Sequence, residues 1–164
     1  SAGTRLRVLD LTGARADDYV NGPFPIEEML ARNSTIVQAR FSKLDLGDAG
    51  GSILAEVLRS NATLTELFID DADLRDRGAT SLGEALKVNK QLRKLSLALN
   101  NIQCDGVSAL AAGLKVNHTL QLIDLDSNEM SDEGATALAT ALRTNSALTQ
   151  ISCARNEIGP KGAT

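Results

Sequence analysis

Histidine and cysteine, the side chains most often used for acid–base and nucleophilic catalysis, are rare in this chain. His118 lies in a predicted turn between Asn117 and Thr119, and no nucleophile or orienting acid has a spacing that would place it alongside. Neither Cys104 nor Cys153 has a histidine at a recurring distance, and no glycine-rich phosphate-binding motif is present. The sequence therefore predicts no catalytic residue and no enzyme activity.

One group of oxygen-bearing side chains imitates the start of a calcium-binding loop. Asp124, Asp126 and Asn128 have the spacing of the first three ligands of such a loop. Glu129 stands where that loop needs glycine, however, and Ala135 stands where it needs glutamate. We therefore interpret the two aspartates as outward-facing strand residues, and we predict no metal site and no cofactor.

Three glycosylation sequons begin at Asn33, Asn61 and Asn117, which would usually indicate secretion. All three occupy the same position of a repeat, where we expect asparagine to end a helix because it tolerates a left-handed backbone. Cys104 and Cys153 occupy different repeat positions, so they are not expected to pair. Unpaired thiols favour a reducing compartment, and we predict a cytoplasmic protein without glycans.

A period of 28 residues organises nearly the whole chain. Near-identical segments begin at Leu64, Leu92 and Leu120, looser copies begin at Leu6 and Ile36, and a truncated copy begins at Leu148. A period of this length predicts a solenoid, in which each repeat buries its apolar face against its neighbours. We expect a single domain over residues 1–164 and, because the chain stops within a repeat, a fragment of a longer protein.

The repeat at 92–119 illustrates the predicted elements. Leu95 and Leu97 show the alternation of a short strand, and Asn100 marks a turn. An amphipathic helix follows, with Asp105 as its N-cap or as a first-turn acid. Parallel strands pack about 4.8 Å apart whereas helices need about 8–10 Å, so the solenoid must curve with its sheet inside. The fold class is therefore α/β, with a parallel concave sheet and convex helices.

Bulk composition excludes several classes of partner. The formal net charge is −4 and the isoelectric point is about 5.0, which argues against nucleic acid or an anionic membrane surface. Aromatic residues make up only 2% of the chain, too few for stacking along single-stranded nucleic acid. The chain also has no apolar run of about 18 residues, so no membrane span is predicted.

The pattern LxxLxLxxNxI, followed by the recurring Gly, Leu and Asn positions, resembles the ribonuclease-inhibitor-like subclass of leucine-rich repeats from Leu6 to Thr164. The turn asparagine of that family is present as Asn100, Asn128 and Asn156. The resemblance implies a curved right-handed β-α superhelix. It also implies kinship with Ran GTPase-activating proteins, NOD-like receptors and actin-capping tropomodulins.

The candidate site is the outward face of the predicted sheet, where residues vary between repeats while the core positions stay constant. Phe68 is either an interface anchor for a protein partner or a stray aromatic on a solvated sheet. Acidic residues surround it and predict a partner with a basic surface. The proposed partner-binding residues are Arg40, Glu66, Phe68, Asp70, Asp71, Lys94, Asp124 and Asp126.

Three functions remain open from the sequence. The first is a non-catalytic protein-binding module that uses the concave face. The second is a regulator of a small GTPase, by analogy with Ran GTPase-activating proteins, and the third is actin capping, which rests on the N-x-T-L endings at Asn61 and Asn117. We also expect self-association through the uncapped ends of the solenoid.

Overall fold

The computed structural model describes residues 5–14, 25–160 and 162, in which three-residue strands alternate with helices. The strands are β1 (Val8–Asp10), β2 (Gln38–Arg40), β3 (Glu66–Phe68), β4 (Lys94–Ser96), β5 (Leu122–Asp124) and β6 (Gln150–Ser152). The helices are α1 (Ile26–Leu30), α2 (Gly47–Ser60), α3 (Arg75–Val88), α4 (Cys104–Val116) and α5 (Asp132–Leu142). Each strand begins two residues after the apolar residue that opens its repeat, as the 28-residue period predicts.

The six strands form one parallel sheet in chain order. Leu67 pairs with Leu95 and Leu95 pairs with Ile123, so each step along the sheet is one 28-residue repeat. The step from Val8 to Gln38 takes 30 residues because the first repeat is longer. Equivalent residues of successive repeats therefore stand beside one another in columns across the sheet. The predicted α/β solenoid with parallel strands is confirmed.

The core lies between the sheet and the helices. The central residue of each inner strand, such as Leu67 or Leu95, is fully buried against the repeated helix leucines. Neighbouring helices also approach closely where both carry glycine. A Cβ built on Gly51 would lie 2.5 Å from the Cα of Gly78, and one on Gly113 would lie 2.4 Å from the carbonyl oxygen of Gly83. No larger residue fits these two helix contacts unless the backbones separate.

The asparagines that follow α2, α3 and α4, which are Asn61, Asn89 and Asn117, are buried and hydrogen-bonded to the preceding repeat. Asn117 donates from Nδ2 to the carbonyl oxygens of Leu86 and Asn89, at 2.8 and 3.0 Å. Its Oδ1 accepts from the backbone N–H groups of Thr119 and Leu120, at 2.9 and 2.8 Å. The backbone of Asn117 is extended, with φ −84° and ψ 125°. The prediction of a left-handed conformation was therefore wrong, and the repeat needs asparagine for its amide.

A second row of asparagines supports the turns that follow the strands. Asn100 donates from Nδ2 to the carbonyl oxygen of Ile69 at 2.7 Å, while its Oδ1 accepts from the backbone N–H groups of Ala72 and Leu74. Asn128 repeats the arrangement one repeat later, and it accepts from the N–H of Asn100 at 3.0 Å. Together with Asn156, these side chains tie the turns after β4, β5 and β6 to the preceding ones, and so they hold that part of the rim of the concave face in place.

The start of α4 differs from one of the two sequence-based interpretations. Gln103, not Asp105, is the residue that caps this helix, and the Gln103 side chain makes no capping hydrogen bond. Asp105 lies exposed in the first turn, which leaves it the second predicted role of an acid at the positive end of the helix dipole.

Candidate functional site on the concave face

Three columns of side chains run across the sheet face that is opposite the helices, which we call the concave face. The first column is Val8, Gln38, Glu66, Lys94, Leu122 and Gln150, and the second is Asp10, Arg40, Phe68, Ser96, Asp124 and Ser152. The third follows the strand ends as Thr12, Ser42, Asp70, Ala98, Asp126 and Ala154. Strand pairing places neighbouring members of a column about 5 Å apart.

Phe68 is half-buried, because a neighbouring side chain covers part of its ring. The guanidinium carbon of Arg40 lies 4.6 Å from the centre of the Phe68 ring. This is cation–π geometry, which contributes roughly 0.5–1 kcal/mol at exposed sites. Arg40 and Phe68, both predicted site residues, therefore form one flat platform on β2 and β3. The sequence left Phe68 as either an interface anchor or a stray aromatic, and the structure stacks it beneath Arg40.

Glu66 and Lys94 also pair with each other. Lys94 Nζ lies 3.2 Å from Glu66 Oε1, on adjacent strands of the first column. Both side chains are partly exposed, and an ion pair of this kind contributes about 0–1 kcal/mol. The two predicted cations of the site therefore both contact a side chain on a neighbouring strand: Arg40 contacts Phe68, and Lys94 contacts Glu66.

Asp70 bonds to three neighbours across the sheet. Its Oδ1 accepts from the Ser96 hydroxyl at 2.5 Å and from the backbone N–H of Ala98 at 3.1 Å. Its Oδ2 lies 3.3 Å from the Ser42 hydroxyl, and that hydroxyl accepts from the Asp70 N–H at 3.1 Å. This predicted site residue therefore also braces the ends of three strands.

Asp124 and Asp126 bring two further carboxylates to the same face. Asp124 Oδ1 accepts from the backbone N–H of Asp126 at 2.9 Å, and Asp126 Oδ1 accepts from the N–H of Ala154 at 2.7 Å. Burial raises the pKa of Asp124, and repulsion from Asp126 and Asp70 raises it further against that backbone hydrogen bond. Within the described residues, no lysine or arginine forms an ion pair with Asp70, Asp124 or Asp126.

The two outward positions between these carboxylates carry small side chains. They are Ser96 at the end of β4, which is 6% exposed, and Ala98 just beyond that strand. Asp70 stands on one side of them, and Asp124 and Asp126 stand on the other. Two strand spacings span about 10 Å. The result is a shallow acidic notch with a floor of Ser96 and Ala98.

Leu99 directly follows Ala98 of the acidic notch and was not among the predicted site residues. Its side chain is 53% exposed, and its backbone is left-handed with φ 58°. The same turn position is left-handed in every repeat, as Gly13, Lys43, Asp71, Leu99, Ser127 and Arg155. Among these residues Gly13 favours this conformation and Asp71 tolerates it, whereas the other four give no sequence signal for it. The predicted site residue Asp71 is the exposed neighbour of Leu99 in the preceding repeat.

The remaining potentially reactive side chains are Cys104, His118 and Cys153. The Sγ of Cys104 lies 2.8 Å from the Ser131 hydroxyl, and His118 is exposed in its turn. Burial raises the pKa of the Cys153 thiol, and Asp126 and Asp124 raise it further, which keeps this sulfur protonated. Among the residues that the structure describes, no group of three or more His, Cys, Asp or Glu side chains could hold a metal ion.

Two of the three sequons have buried asparagines. Asn61 and Asn117 are 5% and 0% exposed, and both use their Nδ2 groups to bond carbonyl oxygens of the preceding repeat. A glycan needs that nitrogen, so its attachment would require the inter-repeat contact to open.

Comparison with known proteins agrees with this geometry. A family profile described as Leucine Rich repeat matches residues 88–111 and 116–139. The chain has the fold of a leucine-rich repeat solenoid. This fold is similar to that of a solved structure titled "Leiomodin-1 Actin-Binding Site 2 (ABS2)", with a TM-score of 0.73 and 20% sequence identity over 77% of this chain and 76% of that one. No curated protein sequence matches significantly.

Within the described residues, no helix is both long enough and apolar enough to span a membrane.

Proposed function

We propose that this leucine-rich repeat domain is a non-catalytic module that binds a protein partner with a basic surface on its concave face. The observation that carries the proposal is the acidic notch, where Asp70, Asp124 and Asp126 face outward with no cation paired to them in the described residues. Carboxylates that are partly desolvated and mutually repelling gain most from an incoming lysine or arginine.

The rest of the face supports a macromolecular partner. The Arg40–Phe68 platform offers a flat apolar surface next to the paired Glu66 and Lys94 side chains. Leu99 adds an exposed apolar side chain in the turn that follows β4. Interfaces combine central apolar anchors with a polar rim in this way, and the charged residues there mainly control the association rate.

We also propose a leucine-rich repeat subclass and a cellular compartment for this domain. The two asparagine rows and the 28-residue strand–helix repeat favour the ribonuclease-inhibitor-like subclass. Cys104 and Cys153 are free thiols, which is consistent with a cytoplasmic location.

A comparison of three variants with the parent tests the binding face. Phe68→Ala and Asp71→Lys alter the concave side, and Ser108→Arg alters the exposed outer side of α4 as a matched control. Proteins that the immobilised parent retains from a cell extract are identified, purified singly and titrated against all four chains. We expect both concave variants to bind more weakly and Ser108→Arg to bind like the parent. The proposal is wrong if only Ser108→Arg loses binding.

Actin is the second candidate partner, because the similar solved structure is titled as an actin-binding site. At 20% identity that similarity concerns the fold, so the assay must be direct. Elongation of fluorescent actin from filaments with blocked barbed ends measures pointed-end capping. Slower elongation with the parent and normal elongation with Phe68→Ala would favour this function.

The small-GTPase alternative rests on fold analogy alone. The rate of phosphate release from a panel of purified, GTP-loaded GTPases, with and without this domain, tests for GTPase activation directly. An accelerated release of phosphate by any member would replace the binding-module proposal with a regulatory one.

A further inference from the structure

The two long edges of the solenoid carry opposite charge. Each strand runs toward one edge and each helix runs back, so the starts of all helices lie at the edge where the strands end. Acids at helix starts and bases at helix ends both complement the helix dipole. Because the five described helices run the same way, this preference places acids along one edge of the described solenoid and bases along the other.

The edge at the helix ends combines bases with exposed apolar side chains, and we call it the basic edge. It is formed by Val88, Lys90, Lys115, Val116, His118 and Arg143. Val88 and Val116 are 57% and 46% exposed, at equivalent positions of adjacent helices. The described acids nearest these helix ends are already used, since Glu56 and Glu84 pair with Arg59 and Lys87 within their own helices.

The edge at the helix starts combines acids with one exposed apolar side chain, and we call it the acidic edge. It is formed by Asp45, Asp71, Leu99, Asp105, Glu129 and Glu157, all of them exposed. Exposed basic residues also lie there, as Lys43, Arg77 and Arg155, so acids predominate at this edge without excluding bases. Arg75 is paired with Asp73 at 2.6 Å. Leu99 is the largest exposed apolar side chain among the described turns.

We propose that copies of this chain stack in parallel, with the basic edge of one copy on the acidic edge of the next. The two edges belong to the same repeats, so they share one curvature and one spacing between repeats. A translation along the strands therefore brings several rows of opposite charge into register at once. It also sets helix ends of one copy over helix starts of the other, which aligns their dipoles.

This contact joins two different surfaces, so it is heterologous and does not close on itself. It predicts short stacks that grow with protein concentration rather than a discrete dimer. The attraction between exposed charges weakens as salt shortens the screening length, from about 30 Å at 0.01 M to about 3 Å at 1 M. Association through the apolar ends of the solenoid would not weaken in this way, because salt does not screen apolar contacts.

Two edge variants test the proposal, and each introduces a residue that its position can hold. Leu99→Lys damages the acidic edge, and Lys43 already occupies the equivalent left-handed position. Val116→Glu damages the basic edge at an exposed helix end. Ala112→Glu, on the exposed outer side of the same helix, is the control for the added negative charge, since Glu84 and Glu56 occupy that repeat position. Circular dichroism and thermal unfolding first establish that each variant is folded.

Sedimentation velocity then measures the mean size of the 164-residue chain over a range of concentrations, at about 0.02 M and about 0.5 M salt. We expect parent and Ala112→Glu to form concentration-dependent stacks at low salt and monomers at high salt. Leu99→Lys and Val116→Glu alone should each remain monomeric. Mixed together they should form a one-to-one complex that grows no further, because each supplies the edge that the other has lost.

Three outcomes would overturn the proposal. One is a parent chain that stays monomeric at every concentration and low salt. Another is a parent that associates equally well at both salt concentrations, which would assign the contact to the ends of the solenoid. The third is a mixture of the two edge variants that remains monomeric.

Discussion

Asp76 belongs to α3, yet it caps the start of α4 by accepting a hydrogen bond from the backbone N–H of Gly106 at 2.9 Å. The same Oδ1 atom accepts from the N–H of Gln103 at 2.8 Å. Asp132 of α5 repeats the arrangement with the N–H groups of Gly159 and Gly162. The start of α4, which lacks a side-chain cap in its own repeat, therefore receives one from the preceding repeat.

Replacing Asp76 by alanine should lower the free energy of unfolding by about 1–2 kcal/mol, because two N–H groups of α4 lose their acceptor. Urea unfolding, followed by circular dichroism, measures the change. Asp105→Ala is the matched control, because Asp105 is an exposed first-turn acid of α4 that is not its cap, and it should cost less than about 0.5 kcal/mol. Equal losses in the two variants would contradict a cap that crosses between repeats.

Asn117→Asp should destabilise the chain by about 3 kcal/mol, although it changes one atom. The new carboxylate can still accept from Thr119 and Leu120, but it would face the carbonyl oxygens of Leu86 and Asn89 without a donor. Urea unfolding at neutral pH gives the value. His118→Ala, at the exposed next position, should stay within about 0.5 kcal/mol of the parent. A tolerated Asn117→Asp variant would mean that the asparagine is needed only for turn geometry.

Phe68→Ala should weaken partner binding by roughly 2 kcal/mol, or about 30-fold in Kd, if the Arg40–Phe68 platform is a hot spot. Titration calorimetry with the identified partner gives the constant, and thermal unfolding controls for damage to the fold. Phe68→Tyr keeps the ring under Arg40 and should bind nearly as well as the parent. Equal binding by the alanine variant would remove the platform from the site.

Asp71→Lys should slow association with a basic partner more than it speeds dissociation, and the effect should shrink as salt is added. Asp71 suits this test better than Asp70, because Asp70 also bonds Ser96 and Ala98 and its loss would disturb the sheet. Surface plasmon resonance at two salt concentrations separates the two rates. A change confined to the dissociation rate would argue for direct contact rather than steering.

Asp124→Asn should raise stability at pH 7 and weaken binding of a basic partner. The pKa of Asp124 is raised in the folded state by burial and by Asp126 and Asp70, so its ionisation opposes folding. The protonated form stabilises fully below the unfolded value of about 3.8, and this contribution is lost as pH rises through the folded pKa. Asparagine can accept from Asp126 without carrying charge. Urea unfolding should therefore show the gain at pH 7 and little or none near pH 3; a gain of equal size at both pH values would exclude a charge effect.

The repeat period and the elements were readable from the sequence, because the residues that define them act within one repeat or between adjacent ones. The spacing of Leu92, Leu95 and Leu97 identified a strand whose apolar residues face inward, and the columns of the concave face followed from the 28-residue step. Arg40, Phe68, Glu66 and Lys94 were therefore assigned to one surface correctly. Residue type alone could not show that they pair with one another, since pairing depends on side-chain rotamers.

Only the tertiary structure decided which charged residues of the concave face have no ion-pair partner within the described part of the chain. Asp70, Asp124 and Asp126 form the acidic notch because Ser96 and Ala98 are small and because both site cations turn toward other partners. The exposure of Leu99 depends on a left-handed turn that a leucine does not signal, and the cap from Asp76 to Gly106 spans 30 residues of chain. Such relations arise when whole repeats stack, so the sequence determined the repeating unit while the stacking determined its surface.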